Sequence, residues 1–506
     1  MFKPIFKAYS TSLLGVMSGL LTQLVFIREL VHMVPANEFA LYAFCYQITI
    51  YLNILQLGLD FATSREIALK LAKADHTGAI QSYLFIRQFN NKICLGGLVI
   101  VIIGALLFYN GVGLGPGFNP LMAAKLVMLF GTWLVIKFLA NPNIVALIGN
   151  NSQAVVNVNY VVTTICTTLI ALVLLKTSSL GVYSMPLPLI AFSVVNFFLL
   201  KSKAFKYCKE WLVNDRSIEI PKGYNKRILQ FSVITTIGGL AWTIEATSDV
   251  FILNGSGLLA LVGFYVLWWR FPQMFFDLAG RLTTSAIPSV NTLYSRSEAE
   301  AGILFNRLLL FVGGIAFIAF IGIACCLTSF IYLWVGSGFF IDDLQWVSFL
   351  IGLLVYSRVI GNCFGMFTIT IGRVKYSTTL SWVQAIVKVI LAIILVGRMG
   401  LKGLFIASIA GSLIQVAGCI FLLLKIKILR KDVLLLIAIG YVAPVILLFS
   451  RMSVKVTLFQ FFYIALITSI CAALSWLFYI KITALDTRLK FSLSVSQFFS
   501  KWKLPR

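Results

Sequence analysis

Acidic residues and histidines are scarce in this chain. It contains 17 Asp and Glu residues against 41 Lys and Arg, and its two histidines, His32 and His76, lie far apart. Catalytic triads and metal clusters need several such groups converging on one point. The G-x-x-x-x-G-K-[ST] nucleotide-binding pattern is absent, and no Gly-Lys pair occurs at all. We therefore expect no catalytic residue, no cofactor, no metal and no direct nucleotide hydrolysis.

Charge of either sign is rare relative to apolar residues. Charged residues make up 11% of the chain and apolar residues 60%, and the mean hydropathy is +0.97. A soluble fold of this composition would expose large apolar patches. The nine cysteines are odd in number, lack metal-ligand spacing and mostly lie inside apolar runs, which indicates small core residues. The composition predicts an integral membrane protein.

The apolar runs approach the roughly 20 residues that a helix needs to cross a bilayer. They are continuously apolar rather than alternating, which favours helices over a β-barrel. The first run follows Lys3 and Lys7 but is too long for a signal peptide, so we interpret it as an uncleaved helix. We predict an all-α integral membrane fold of about fourteen transmembrane helices, at 9–30, 37–59, 92–111, 120–147, 156–176, 180–200, 228–253, 257–279, 308–335, 345–371, 377–397, 403–424, 433–450 and 457–480.

The basic residues predict the orientation of these helices. Most of them fall in alternate loops, which places both termini in the cytoplasm of a bacterial inner membrane. The net charge of +24 then reflects topology and contact with anionic membrane lipids. Because the cations are spread over many short segments, nucleic-acid binding is not expected. Two basic segments, Phe61–Asn91 and Lys481–Arg506, are predicted to be amphipathic surface helices.

The two halves of the chain resemble each other. One constant shift along the chain places Phe39–Phe44 on Leu259–Phe264, and a similar shift places Ile148-Gly149 on Ile371-Gly372. Six spans per unit give the two copies the same orientation, and such parallel repeats face each other across a cavity. The predicted organisation is an N-terminal six-helix bundle (1–200), a basic linker (201–227), a C-terminal six-helix bundle (228–424), two further helices (425–480) and a basic tail (481–506).

Several cations lie within the predicted spans. Each costs roughly 2.5–3.5 kcal/mol at the centre of a membrane helix, so they should face protein or water. A cavity that holds several cations suits phosphate or pyrophosphate, which Arg can hold with two bonds at once. The predicted substrate-binding cations are Lys137, Arg270, Arg358 and Lys388.

Two intramembrane acids, Glu245 and Asp249, are four residues apart and share a helix face. They could hold a proton or a coupling cation, or form structural ion pairs with Arg270 or Lys388, and the sequence leaves both readings open. Further polar residues either line the cavity or bind helices to each other. These are Asn53, Gln56 and Asp60 in the second span, Asn362 on the face of Arg358, and Gln384 on the face of Lys388.

Three loose motifs carry a family resemblance: Gln56–Ala68, Ile371–Lys375 and Met399–Ala407. With the topology and the repeat, they make the chain similar to bacterial polysaccharide transporters. These are lipid-linked oligosaccharide (O-antigen type) flippases of the multidrug/oligosaccharidyl-lipid/polysaccharide exporter superfamily. The resemblance implies two multidrug-exporter-like (MATE-like) bundles, a lateral V-shaped opening, alternating access and a basic cavity. Fourteen spans depart from the twelve of the drug-exporting members.

The leading functional hypothesis is a flippase for an undecaprenyl-pyrophosphate-linked oligosaccharide. The oligosaccharide would be a repeat unit of O-antigen, capsule or exopolysaccharide, and a glycan polymerase or chain-length regulator is a candidate partner. An ion gradient, the membrane potential or downstream consumption would drive it. The alternatives are an ion-coupled multidrug exporter, which would need an acidic cavity, and a membrane glycosyltransferase or polymerase, which the short external loops disfavour. A scaffold without transport activity would leave the buried charges unexplained.

Overall fold

The computed structural model describes residues 2–56, 59–115, 118–212, 224–294, 297–336 and 344–447. Within these ranges the chain is helical and contains no strand. The helices are α1 (Phe2–Met33), α2 (Ala36–Ile50), α3 (Leu59–Ala72), α4 (His76–Tyr109), α5 (Pro120–Gly149), α6 (Gln153–Thr177), α7 (Pro186–Tyr207), α8 (Tyr224–Gly255), α9 (Leu259–Tyr294), α10 (Glu298–Val335), α11 (Leu344–Thr370), α12 (Val374–Met399), α13 (Leu401–Lys425) and α14 (Lys431–Leu447). The all-helical membrane fold is thus confirmed.

The number of membrane spans stays a prediction. In the described ranges, ten helices are long and apolar enough to cross a bilayer. Three predicted spans correspond to helices outside that set: α2 ends early and continues as a 3-10 turn, Tyr51–Gln56; α14 has 17 residues; and α8, which carries Glu245 and Asp249, is not among the ten. The predicted span 457–480, like the basic tail and most of the linker, lies outside the described residues.

Local sequence signals explain several helix boundaries. The side chains of Asp75, Asn119 and Ser297 each accept a hydrogen bond from a backbone N–H in the first turn of the helix that follows. Pro120, at the first position of α5, has no N–H to leave unsatisfied. α5 also runs unbroken past its internal Pro142 to Gly149.

The segment Phe61–Asn91, predicted to be an amphipathic surface helix, instead contributes to two helices that pack on the first bundle. The segment forms α3 and the first half of α4, and both pack against α5. Ile67 and Ile86 are buried in a shared apolar cluster, and a Cβ placed on Gly149 would lie 2.6 Å from Ile67. Several apolar residues of the segment are therefore buried by protein, because the small residue at the end of α5 lets α3 approach closely.

The same helix pairings recur in the two halves: α4 packs on α5 as α10 does on α11, α5 on α7 as α11 on α13, and α1 on α6 as α8 on α12. Nearly the same shift along the chain that aligns the two halves places Gly131 on Gly352. Both glycines occupy crowded positions. A Cβ on Gly131 would lie 2.4 Å from Val101, and one on Gly352 would lie 2.7 Å from Phe320. Both glycines allow the close approach of a long helix pair.

The two bundles meet where α2 packs on α9. Gly263 lies against Phe39 and Ala40, and the Phe44 and Phe251 rings contact edge to face, with centroids 6.2 Å apart. The halves differ in one respect at this interface. The first half breaks between α2 and α3, whereas the equivalent α9 runs unbroken for 36 residues. The contact between α2 and α9 brings side chains from both bundles into one central region.

Candidate functional site

A cavity of about 240 Å³ lies among α1, α2, α5, α6 and α7, and α9 of the other bundle contributes Arg270 to its wall. Hydroxyl and amide side chains make up much of the lining. Thr22 and Thr168 bond to each other across α1 and α6 at 2.9 Å. Tyr46 and Trp133 add a stacked aromatic pair whose ring centroids are 6.2 Å apart. Groups that can bond to sugars and anions are thus concentrated in the interior of a membrane protein.

Lys137 projects from α5 into this cavity. It shares a helix face with Trp133, and its Nζ lies 5.7 Å from the centroid of that ring. The lipid-directed face of α5 is a different one, marked by the exposed Met128 and Leu139. Lys137 is nevertheless exposed, because it borders the open space of the cavity. Its ammonium therefore avoids the cost of facing lipid.

Arg270 reaches the same cavity from α9. Its Nη1 donates to the side-chain oxygen of Gln23 at 3.2 Å, and its guanidinium lies 5.7 Å from the Tyr46 ring centroid. Its Nε is buried and makes no hydrogen bond within the described part of the chain. In that part, neither Arg270 nor Lys137 has an acid within ion-pair distance. The cavity therefore holds two cations whose charge is not neutralised by direct contact.

The predicted polar stripe of the second span mostly makes contacts inside the N-terminal bundle. The Gln56 amide donates to Asn90 at 2.8 Å, and Asn53 donates to its own helix backbone at Ile50. Asp60 accepts a hydrogen bond from Asn141 on α5. These contacts join α3, α4 and α5 to the turn that precedes α3, and they favour the helix-binding interpretation for this group.

The other two predicted cations, Arg358 and Lys388, lie in the C-terminal bundle with both acids of α8. Lys388 is 0% exposed, with its Nζ 2.7 Å from Asp249 and 3.9 Å from Glu245. Arg358 pairs directly with Glu245 and is stacked 4.8 Å from the centroid of the Trp269 ring. We call these four side chains, Glu245, Asp249, Arg358 and Lys388, the charged tetrad. Its formal charges sum to zero.

Additional contacts fix the geometry of the tetrad. The Tyr265 hydroxyl donates to the second oxygen of Asp249 at 2.7 Å, and Lys388 also donates to the backbone oxygen of Glu245. A second cavity, of about 100 Å³, borders the tetrad and is lined by Asn362 and Gln384. Buried charges that are paired and hydrogen-bonded in this way avoid most of the cost of isolated ones. The tetrad joins α8, α11 and α12, and Tyr265 and Trp269 connect it to α9.

The four predicted substrate-binding cations thus separate into two pairs that the sequence treated as one group. Lys137 and Arg270 share the large cavity, while Arg358 and Lys388 share the tetrad with both acids. Sequence reasoning missed Gln23, which bonds to Arg270, and Asn141, which bonds to Asp60. The repeat could have revealed Asn141, because one shift places Lys137-x-x-x-Asn141 on α5 onto Arg358-x-x-x-Asn362 on α11.

The chain folds like several solved membrane transporters. It aligns with a lipid II flippase, MurJ, in an inward closed conformation (TM-score 0.68, 15% identity, 96% of this chain and 99% of that chain). It aligns with an inward-facing multidrug resistance transporter of the MATE family and MOP superfamily (TM-score 0.61, 15% identity, 82% and 98%). It also aligns with a MOP-superfamily transporter from Pyrococcus furiosus described by the reverse polarity of its binding pocket (TM-score 0.62, 17% identity, 84% and 95%).

No protein-family model matches the chain, and no curated protein matches it by sequence. At 15–17% identity, the structural likeness establishes the fold alone. That fold is the two-bundle arrangement of the MurJ and MATE transporters, which was predicted from the repeat and from the family resemblance.

Proposed function

We propose that this protein is a flippase that moves an undecaprenyl-pyrophosphate-linked oligosaccharide across a bacterial inner membrane by alternating access. The observation that carries the proposal is the pair of cations, Lys137 and Arg270, in a hydroxyl-rich cavity without acids in direct contact. Cations without an acid in direct contact attract a polyanion, and the Arg fork binds phosphate oxygens in pairs. The MurJ-like fold supports movement of a lipid-linked substrate.

The size of the cavity agrees with a transporter in a closed state. About 240 Å³ is less than the roughly 300–1,000 Å³ of typical ligand pockets. A pyrophosphate with several sugars needs more room, so the bundles must separate to admit it. Arg270 belongs to the second bundle and the other lining residues to the first. Separation of the bundles would therefore change the distance between the two cations.

In this proposal the tetrad is structural and the substrate contacts are limited to Lys137 and Arg270. Arg358 and Lys388 are already paired, and an incoming phosphate would have to compete with carboxylates in direct contact. The same pairing argues against Glu245 and Asp249 as a site for a free coupling cation. The proposal also places both termini on the cytoplasmic side. It further includes contact with anionic lipids through the basic linker 201–227 and association with a glycan polymerase.

Export of cationic drugs is the alternative for this fold, since several structures of similar fold are multidrug transporters. A cationic drug would meet repulsion from Lys137 and Arg270. Deleting the gene should accordingly leave drug sensitivity unchanged while surface glycan decreases. Increased drug sensitivity with normal surface glycan would instead establish the exporter.

Purified protein in liposomes gives the direct test. The probe is a fluorescent polyprenyl-pyrophosphoryl-N-acetylglucosamine whose movement is followed by quenching of the outer leaflet. We expect Lys137→Gln combined with Arg270→Gln to abolish movement. Lys125→Gln is the matched control, because Lys125 is exposed on the same helix α5 outside the cavity. Movement that survives the double substitution would refute the cation role.

A further inference from the structure

The second cavity, in the C-terminal bundle, occupies the position that is equivalent to the large cavity of the N-terminal bundle. Apart from Arg270, the large cavity is lined by α1, α2, α5, α6 and α7, and the second by α8, α9, α11, α12 and α13, which are their counterparts in the repeat. Nearly the same shift along the chain also relates individual lining residues. These pairs are Lys137 and Arg358, Thr164 and Gln384, and Asn196 and Gln415. Both bundles therefore keep a polar cavity at the same place in the fold.

Side-chain amides are concentrated in the second cavity. Asn362 of α11, Gln384 of α12 and Gln415 of α13 line it, and none of these three amides forms a hydrogen bond within the described part of the chain. Gln384 is only 7% exposed. A buried polar group without a hydrogen-bond partner is costly, and most of all in the interior of a membrane. The three amides therefore indicate a ligand that carries hydrogen-bonding groups.

The charges that border the second cavity favour a neutral ligand. Arg358 lines the cavity and pairs with Glu245, while its Nε is buried and makes no hydrogen bond in the described ranges. The charged tetrad has formal charges that sum to zero, so the cavity has no excess charge to attract an ion. The large cavity differs in this respect, because its two cations lack an acid in direct contact.

The lining of the second cavity matches the chemistry of a neutral sugar. A carboxamide both donates and accepts hydrogen bonds, as sugar hydroxyls and acetamido groups do. Trp242, Trp269 and Phe276 supply apolar rings, against which the C–H face of a sugar ring can pack. Trp242 is 54% exposed and therefore lies at the edge of the cavity. A sugar could thus pack on these rings while its polar groups reach the amides inside.

Glycines hold the walls of this cavity in place. Three glycines of α13, Gly403, Gly411 and Gly418, let it contact α12 closely, because a Cβ on any of them would lie 2.5–2.9 Å from an atom of α12. Gln384 and Gln415 are thus carried by two tightly packed helices. A volume of about 100 Å³ corresponds to roughly three water molecules of about 30 Å³ each. The cavity therefore admits one edge of a single sugar ring rather than a whole oligosaccharide.

Building on the proposed function, and beyond the contacts that it assigns to Lys137 and Arg270, we propose that the second cavity is a subsite for one neutral sugar residue of the transported glycan. The hydroxyl or acetamido groups of this sugar bond to Asn362, Gln384 and Gln415. Lys137 and Arg270 bind the pyrophosphate, which all substrates of this class share. The subsite distinguishes one glycan from another, because sugars differ in the groups that they present to the three amides.

Binding of a free monosaccharide tests the subsite without lipid or phosphate. The probe is N-acetylglucosamine, and its binding to the full chain in micelles is followed by saturation-transfer difference NMR. We expect Gln384→Met and Gln415→Met each to raise the Kd about 2- to 12-fold, which is the effect of losing one neutral hydrogen bond. Gln153→Met is the matched control, because Gln153 is exposed on α6 and lines neither cavity. Equal Kd values for all three variants would overturn the subsite.

A charged sugar tests the neutral character of the subsite. Glucuronate has the ring of glucose but carries a carboxylate, so it should bind more weakly than glucose in the same NMR measurement. Equal or tighter binding of glucuronate would overturn the assignment to neutral sugars. If the unmodified protein shows no saturable binding of N-acetylglucosamine, water alone fills the cavity and the subsite is likewise overturned.

Movement in liposomes separates the two proposals. The fluorescent polyprenyl-pyrophosphoryl-N-acetylglucosamine is compared with the same polyprenyl pyrophosphate without its sugar. We expect Gln384→Met, and Gln415→Met on a different helix, to lower the ratio of the two rates, sugar-bearing to sugar-free. An unchanged ratio in both variants would overturn the subsite and keep the flippase. Binding of N-acetylglucosamine by a protein that moves neither probe would overturn the flippase and leave a sugar-binding site.

Discussion

Replacing Lys388 by Met is the sharpest perturbation of the charged tetrad. Met keeps most of the volume of the side chain but removes the ammonium, which leaves the 0%-exposed site with two carboxylates and one guanidinium. Asp249 would keep only the Tyr265 hydroxyl as a partner among the contacts described above. A buried carboxylate that loses its ion partner is strongly destabilising.

The distances give the size of the effect. At an effective dielectric constant of about 20, the 2.7 Å approach of Lys388 to Asp249 is worth about 6 kcal/mol and the 3.9 Å approach to Glu245 about 4 kcal/mol. Desolvation of the ammonium and its repulsion from Arg358 offset part of this attraction. Breaking a buried pair typically costs about 3–5 kcal/mol, which we expect for Lys388→Met.

The assay is chemical unfolding in mixed micelles, analysed as a double-substitution cycle. Adding Asp249→Asn to Lys388→Met should recover a large part of the lost free energy of unfolding, because no unpaired carboxylate then remains. As a control, Lys176→Met removes the exposed Lys176–Glu29 pair, 57% and 32% exposed, and should cost less than about 1 kcal/mol. Substitution costs that add to within about 0.5 kcal/mol would refute the coupling within the tetrad.

Three further predictions concern the cavity, the helix packing and a helix cap. Arg270→Lys keeps the charge but loses the forked geometry, so it should weaken probe binding less than Arg270→Gln; equal losses would mean that charge plays no part. Gly131→Ala places a Cβ 2.4 Å from a neighbouring valine and should cost about 1–3 kcal/mol of unfolding free energy, whereas Gly96→Ala, with no heavy atom within 4 Å, should not destabilise. The pKa of the Asp75 carboxyl is lowered, first by a hydrogen bond from a backbone N–H of α4 and then by a lysine. The stabilisation of α4 by this capping bond is therefore fully present above about pH 4 and is lost as the pH falls through the lowered pKa. The protection of the first amides of α4 against hydrogen exchange, taken relative to the rate of an unstructured peptide at the same pH, should decrease over that range, and Asp75→Asn should remove the dependence.

The fold was predictable because its signals are local or repeated. Apolar run length gave the helices, and the constant offset between matching segments gave the two similar bundles. The predictions failed where packing between distant segments decides the outcome. The segment 61–91 has the composition of a surface helix, but Gly149, far beyond it in the chain, provides the space in which Ile67 of α3 is buried. No local periodicity encodes that contact.

The sequence predicted which charged residues lie within the spans, but not which of them contact each other. It predicted four substrate-binding cations and two intramembrane acids, and it left open whether the acids hold a coupling ion or form ion pairs. Whether a cation meets an acid depends on how α8, α11 and α12 rotate against each other. Lys388 and Arg358 reach Glu245 from distant parts of the chain. That rotation is set by side-chain packing across three helices, which spacing alone does not specify.

The repeat explains why the two halves differ chemically. Lys137 and Arg358 occupy equivalent positions, each followed four residues later by an Asn. In the second half, Glu245 on α8 neutralises Arg358, and three glycines close α13 onto α12. In the first half, the shift that aligns Phe39 with Leu259 places Val25 of α1 at the position of Glu245, and α7 has no glycine, so the cation remains unpaired beside an open cavity. Under the proposed function, one bundle is a rigid support and the other receives the anionic head group. Placing an acid in the cavity should transfer the chemistry of the second half to the first: Gln23 lines the cavity and accepts a hydrogen bond from Arg270, so Gln23→Glu should weaken binding of the pyrophosphate probe, while the neutral Gln23→Met, of similar size, should weaken it less. Equal binding by the two variants would contradict this division of roles.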